Sequence, residues 1–201
     1  MASIYIPKRK VDRVFWVISI TLFSAALFIL AFYTVKALLE SGSLYPIGSN
    51  MVNTEFPPSS PFYAKPVTYF VFFMVLGWLF GLESTKERIS QWSPFYRRLA
   101  LIISIFFIFA TGYEVLYNFT LWSALMTWAK MSGNLNPDIL INEFPSEEAA
   151  WNITFATKIY TAFFFISTIT AIYLVRSDRS YKPVKELEIA QESSIKRSER
   201  E

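Results

Sequence analysis

The sequence predicts an all-α integral membrane protein with four transmembrane helices, and three observations lead to that prediction. Four apolar stretches, at about residues 14–39, 64–82, 95–131 and 147–176, are long enough to contain a membrane span, which takes about 20 mostly apolar residues. Only 17% of the residues are charged, against about 25% in a typical soluble domain. Finally, the basic residues alternate between the two ends of successive spans.

The basic residues predict the orientation of the four spans. Three regions hold 15 of the 19 lysines and arginines: the N-terminal tail 1–13, the connection after the second span together with Arg97 and Arg98, and Arg176 together with the tail that follows it. Cytoplasmic segments of membrane proteins are enriched in Lys and Arg. We therefore expect a multi-pass protein of the cell membrane with both termini in the cytoplasm.

The first apolar stretch is predicted to be a retained helix. It follows basic residues, as a signal peptide does, but it runs for about 26 residues, whereas the apolar region of a signal peptide has about 7–15. The loop that follows, residues 40–63, contains four prolines: Pro46, Pro57, Pro58 and Pro61. Because proline removes a backbone donor and disfavours helix, we expect an irregular loop on the outer membrane surface.

The third and fourth spans are predicted to form a long antiparallel hairpin that projects outside the membrane. Ser93-Pro94 is a helix start, and apart from Gly112 no breaker follows until Ser132-Gly133, which allows about 38 residues, or about 57 Å. Ser146 offers a matching start for the fourth helix after an outside loop at 132–146. The terminal segment 178–201 is rich in charge and poor in apolar residues, so we expect it to be disordered.

The most specific candidate site is an intramembrane polar cluster on the third and fourth helices. Glu114 is 16 residues, about 24 Å, from Arg98, and Lys158 is 18 residues, about 27 Å, from Arg176. An antiparallel pair of helices would bring Glu114 and Lys158 to a similar depth, where they could form an ion pair. The side chains expected to add hydrogen bonds are Tyr113, Tyr117 and Asn118. Two alternatives stay open: each charge reaches the headgroups independently, or Glu114 couples ion movement.

Other motifs have less specific interpretations. Gly77 and Gly81 have the four-residue spacing that lets helices approach closely, and packing within this bundle is favoured over a dimer seam. Asn118 and Asn152 both begin N-glycosylation patterns; Asn118 lies too near the membrane, and Asn152 is the better acceptor. Hydroxyls within the spans are expected to bond to the carbonyl of the preceding turn: Ser19, Thr21, Ser104, Thr161 and Thr168.

The absence of cysteine and histidine limits the chemistry of the chain. Without cysteine there is no thiolate metal site, iron–sulfur cluster or thiol catalysis, and without histidine the commonest general base and haem ligand are missing. We therefore expect no enzyme activity, no cofactor and no metal site. The net charge of +3 follows from basic residues that flank spans, so no nucleic-acid partner is expected.

These features together favour a non-catalytic accessory or structural subunit of a larger integral membrane complex. A membrane oxidase, monooxygenase or respiratory assembly, with its cofactors in other subunits, is an example. The expected partners are the lipid bilayer and other integral membrane subunits, and a homo-oligomer is left open. The alternative is a small oligomeric transporter or channel that uses Glu114.

Overall fold

The computed structural model describes residues 9–42, 44, 47–54, 64–133 and 153–198, and within them the chain is helical. The helices are α1 Lys10–Ser41, α2 Ile47–Asn53, α3 Pro66–Ser90, α4 Pro94–Met131 and α5 Ile153–Ser198. Side chains of α5 are described as far as Arg176. Four helices, α1, α3, α4 and the Ile153–Arg176 part of α5, are long and apolar enough to cross a membrane. This confirms the prediction of an all-α fold with four helices that could span a membrane.

The four long helices form an open row in the order α1, α3, α5, α4. Helix α3 packs against α1 on one side and α5 on the other, and α5 packs in turn against α4. A three-residue turn joins α3 to α4, yet α5 lies between them. In the described part of the chain, α1 and α4 do not form a packed pair, so both remain at the edges of the row.

Helices α1 and α3 run antiparallel. Ser19 of α1 donates a hydrogen bond to the carbonyl of Gly77, and Arg9, the N-cap residue of α1, pairs with Glu87 near the end of α3. Since the residue number falls along α1 as it rises along α3, the two helices point in opposite directions.

Helix α5 runs parallel to α3 and antiparallel to α4. Thr68 contacts Lys158 and Glu83 contacts Tyr173, so the numbers rise together along α3 and α5. On the other side, a Cβ at Gly112 of α4 would lie 3.3 Å from the Phe164 ring of α5, and Ala100 of α4 lines a groove with Leu174 of α5, so the numbers fall along α5 as they rise along α4. The alternating directions are those that four successive spans require.

Helix α4 presents two different faces. Its buried positions include Ser104, Thr111 and Ala129, small residues that allow close packing of helices in a membrane. The opposite face exposes large apolar side chains: Phe95, Ile102, Phe106, Phe109, Tyr113, Leu116 and Met131. Since α4 has only α5 as a packed neighbour in the described chain, most of its circumference is left uncovered.

The prolines predicted an irregular loop at residues 40–63, but part of this loop is helical. Helix α2, Ile47–Asn53, forms in the proline-free interval between Pro46 and Pro57. Met51 and Val52 of α2 are fully buried in a core with Tyr33 of α1 and Val67 of α3, and Phe155 of α5 completes that core. The burial of two apolar side chains explains why this short segment is ordered as a helix.

The helix ends also differ from the sequence-based boundaries. Helix α3 continues from the expected end near residue 82 to Ser90, and α5 continues to Ser198 where disorder was expected. Both extensions are rich in Glu, Lys and Arg, which have high helix propensity even where they bury no apolar face. Ser93 is the N-cap residue of α4, with Pro94 in its first turn, but the Ser93 side chain makes no capping hydrogen bond.

Candidate functional site

The structure does not bring Glu114 and Lys158 together. Lys158 Nζ donates a hydrogen bond of 2.7 Å to Thr68 Oγ1 on α3. Glu114 is half-buried on α4 and, among the residues that the structure describes, makes no ion pair or hydrogen bond. Similar depth is therefore not sufficient for pairing, because Lys158 lies on the α3 side of α5 and Glu114 lies on α4.

The other members of the predicted cluster also separate. Tyr113 and Tyr117 stack on each other, with ring centroids 6.2 Å apart, on the exposed face of α4. Asn118 lies one turn beyond Glu114, and its Nδ2 is buried without a hydrogen-bond partner in the described chain. Nδ2 is the atom of Asn118 that would carry a glycan, and in this fold it is buried. Asn152 lies outside the described residues.

Gly77 and Gly81 lie against α1. A Cβ at Gly77 would contact Leu22 and Phe23 at 3.4 Å, and a Cβ at Gly81 would approach Ser19 Oγ at 3.1 Å. The two glycines thus face the antiparallel partner within the same chain. The close approach also lets Ser19 Oγ donate to the Gly77 carbonyl at 2.7 Å, so Ser19 bonds across the interface and not to its own helix.

The remaining hydroxyls bond within their own helices, as the sequence predicted. Thr21, Ser104, Thr161 and Thr168 each donate to the carbonyl four residues earlier, at 2.7–3.0 Å.

The structure reveals a site that the sequence reasoning missed, at the end of the bundle where α1 begins. A cavity of about 720 Å³ lies on α3, between the start of α1 and α5. We call it the charged cleft. The residues that line it are Arg9, Leu79, Glu83, Lys86, Glu87, Ser90, Ile169, Ile172, Tyr173 and Arg176.

Ion pairs connect the helices around the charged cleft. Arg9 Nε lies 2.9 Å from Glu87 Oε1, which joins α1 to α3. Lys86 pairs with Glu83 within α3 and lies 4.0 Å from Asp12 Oδ1 of α1. Because the Arg9–Glu87 pair is exposed, it contributes little stability, about 0–1 kcal/mol, and it can rearrange at low cost.

Asp12 and Tyr173 complete this polar region. Asp12 is only 3% exposed, and it lies in the first turn of α1, where the helix dipole favours a negative charge. Tyr173 Oη donates a hydrogen bond of 3.2 Å to Glu83 Oε2, which connects α5 to the network. The cleft thus holds both signs of charge on three helices, over an apolar surface formed by Leu79, Ile169 and Ile172.

The carboxylates in the charged cleft have partners on the same or neighbouring helices. Glu87 pairs with Arg9, and Glu83 pairs with Lys86 and accepts a hydrogen bond from Tyr173. In residues 9–42, 44, 47–54, 64–133 and 153–198, no three His, Cys, Asp or Glu side chains are grouped to hold a metal ion. What the cleft offers is fixed charge beside an apolar surface.

A sequence signal for the cleft exists, although it is weak. Glu83, Lys86, Glu87 and Ser90 recur at three- and four-residue intervals, which places them on one face of a helix. The apolar stretch ends near residue 82, so the sequence predicts a connecting loop for these residues. Their basic members were used only to predict the orientation of the spans.

Comparisons of this chain with protein-family models, with curated proteins and with solved structures found no match.

Proposed function

We propose that this chain is a non-catalytic accessory or structural subunit of a larger integral membrane complex in the cell membrane. The observation that carries the proposal is the exposed aromatic face of α4 at one edge of an open row. Phe109, in the middle of that face, is 74% exposed, and the described chain provides only α5 as a packed neighbour of α4. Other integral membrane subunits would cover this face.

The length of α4 supports a partner outside the bilayer as well. At 1.5 Å per residue its 38 residues span about 57 Å, well beyond the hydrocarbon core of about 30 Å. With both termini cytoplasmic, as the basic residues predict, the Met131 end of α4 projects from the outer surface. Trp128 and Met131 there are 67% and 84% exposed, and apolar side chains of this size are favoured in a buried interface.

The lack of histidine and cysteine supports a non-catalytic role. The cofactors of the assembly, for example a membrane oxidase, a monooxygenase or a respiratory complex, would lie in its other subunits. This chain would contribute helix surfaces for assembly, with the α4–α5 hairpin contacting an external domain.

The test is the mass of the complex after gentle solubilisation from native membranes. We expect the chain to migrate with stoichiometric partners, identified by mass spectrometry. Phe109→Ala is expected to lower the amount of co-purified partner several-fold, because aromatic side chains buried at an interface contribute strongly to binding. Migration at the mass of the single chain would contradict the proposal.

Phe28→Ala is the matched control. Phe28 is also a phenylalanine within a span and is 70% exposed, but it lies on α1, at the opposite edge of the row. If the partner covers α4, Phe28→Ala leaves the complex intact. Equal losses from both substitutions would show that α4 is not the specific interface.

One observation favours a second candidate, a small oligomeric transporter or channel. Glu114 is half-buried on a membrane helix without an ion pair in the described chain, and ionisable groups in spans often mark ion pathways. In that case the chain purifies as a homo-oligomer. Only stoichiometric partners of a different sequence support the subunit proposal.

A further inference from the structure

If the hydrocarbon core begins at the level of Pro66, the charged cleft lies at the depth of the lipid headgroups. Counting from Pro66, the start of α3, Glu83 is about 25 Å and Ser90 about 36 Å along the helix. The end of the hydrocarbon core, about 30 Å thick, falls between them. The polar rim is therefore at headgroup level, while Leu79, Ile169 and Ile172 face the acyl chains.

The rim carries both signs of charge, and this restricts what can bind. Arg9, Lys86 and Arg176 provide cations from α1, α3 and α5, and Glu83 and Glu87 provide carboxylates from α3. A purely anionic headgroup would satisfy the cations but would be repelled by the two carboxylates. A headgroup with an anion and a cation complements both.

We propose that the charged cleft binds an aminophospholipid, phosphatidylethanolamine, from the leaflet at this end of the bundle. Its phosphate lies against Arg9 and Arg176, and its ammonium group donates to the carboxylate of Glu87. The acyl chains cover Leu79 and the two isoleucines of α5. The exposed Arg9–Glu87 pair opens at little cost, because each partner gains an opposite charge from the lipid.

The primary amine distinguishes this lipid from its close relatives. Phosphatidylcholine has the same net charge, but its trimethylammonium group has no N–H to donate. Phosphatidylglycerol has the phosphate and lacks the cation. Soluble phosphoethanolamine has the complete headgroup but no chains for the apolar surface. The cleft is therefore expected to prefer phosphatidylethanolamine over all three.

Native mass spectrometry of the full chain in detergent, titrated with each compound, tests this ranking. We expect phosphatidylethanolamine to bind about tenfold tighter than phosphatidylcholine, since a hydrogen bond to a charged group is worth about that factor. Phosphatidylglycerol and soluble phosphoethanolamine are expected to bind more weakly still. Equal binding of the three lipids, a preference for phosphatidylglycerol, or equal binding of the soluble headgroup would each overturn the proposal.

Two substitutions locate the bound lipid. Glu87→Gln is expected to lower phosphatidylethanolamine binding to the level of phosphatidylcholine, whereas Arg176→Gln removes a contact to the shared phosphate and is expected to lower the binding of both lipids several-fold. Their matched controls are Glu40→Gln, at the far end of α1, and Arg98→Gln, an exposed cation at the same end of the bundle but outside the cleft. Equal losses from the controls would place the lipid elsewhere. The ranking of lipids on the unmodified chain decides the question even if a variant fails to fold.

Discussion

At the scale of single residues, the α1–α3 interface depends on the absence of a side chain at Gly81. Ser19 Oγ occupies the space beside this glycine and donates its hydrogen bond to the Gly77 carbonyl. Interhelical hydrogen bonds of this kind in membranes contribute about 0.6 kcal/mol on average. A side chain at residue 81 and the Ser19 hydroxyl that makes this hydrogen bond would therefore occupy the same small volume.

This competition predicts that the effect of Gly81→Ala depends on residue 19. In the unmodified chain the new Cβ crowds Ser19 Oγ at 3.1 Å, so the free energy of unfolding should fall by about 1–3 kcal/mol. In the Ser19→Ala background the oxygen is gone, and the substitution should be neutral or slightly stabilising, because alanine favours helix over glycine. Denaturant unfolding of the four proteins in one detergent measures the coupling, and an equal cost in both backgrounds would refute it.

At the scale of helices, the end of α3 and the length of α4 have the clearest consequences. Helix α3 continues to Ser90, and this extension builds the charged cleft on its last two turns. Helix α4 exceeds the thickness of the hydrocarbon core, so one of its ends extends beyond it. Which side that end faces depends on the orientation proposed from the basic residues.

The orientation is accessible to cysteine labelling, because the chain contains no cysteine of its own. Gln91, in the turn between α3 and α4, and Ser132, just after α4, are both exposed. With a membrane-impermeant maleimide on intact cells, we expect Ser132→Cys to be labelled and Gln91→Cys to react only after permeabilisation. The opposite pattern would reverse the topology and place the charged cleft on the outer side.

At the scale of the whole molecule, α2 joins three of the four long helices. Its Met51 and Val52 are fully buried against Tyr33, Val67 and Phe155, which belong to α1, α3 and α5. Along the membrane spans, by contrast, only 11–22% of the residues in the most apolar 18-residue window of each helix are buried. The best-packed part of the described chain is thus the end of the bundle beneath α2.

We therefore expect Met51→Ala to destabilise the fold by about 2–5 kcal/mol, the usual cost of truncating a buried methionine. Met131→Ala is the control, since Met131 is exposed at the end of α4, and its effect should stay within about 0.5 kcal/mol. Thermal unfolding in detergent, followed by circular dichroism, compares the two. Similar effects would show that α2 does not hold the row together.

Counting residues along the sequence gives a position along each helix but not a direction around it. Glu114 and Lys158 were placed at similar depth, yet Lys158 contacts Thr68 of α3. Ser19 was expected to bond within α1, yet it bonds to α3. In both cases the hydrogen-bond partner depends on which helix packs beside the residue. A helix that is apolar around most of its circumference carries little information about which neighbour it packs against.

The sequence by itself determined the number of long helices and their approximate positions, because the bilayer demands long apolar segments. Only the tertiary structure decided the order α1, α3, α5, α4, the parallel pairing of α3 with α5, and the meeting of charges from three helices in the cleft. The physical reason is that lipid tails and helix surfaces are about equally apolar, so hydrophobicity does not select between neighbours. Close packing at glycines and a few polar contacts across the interfaces make that selection.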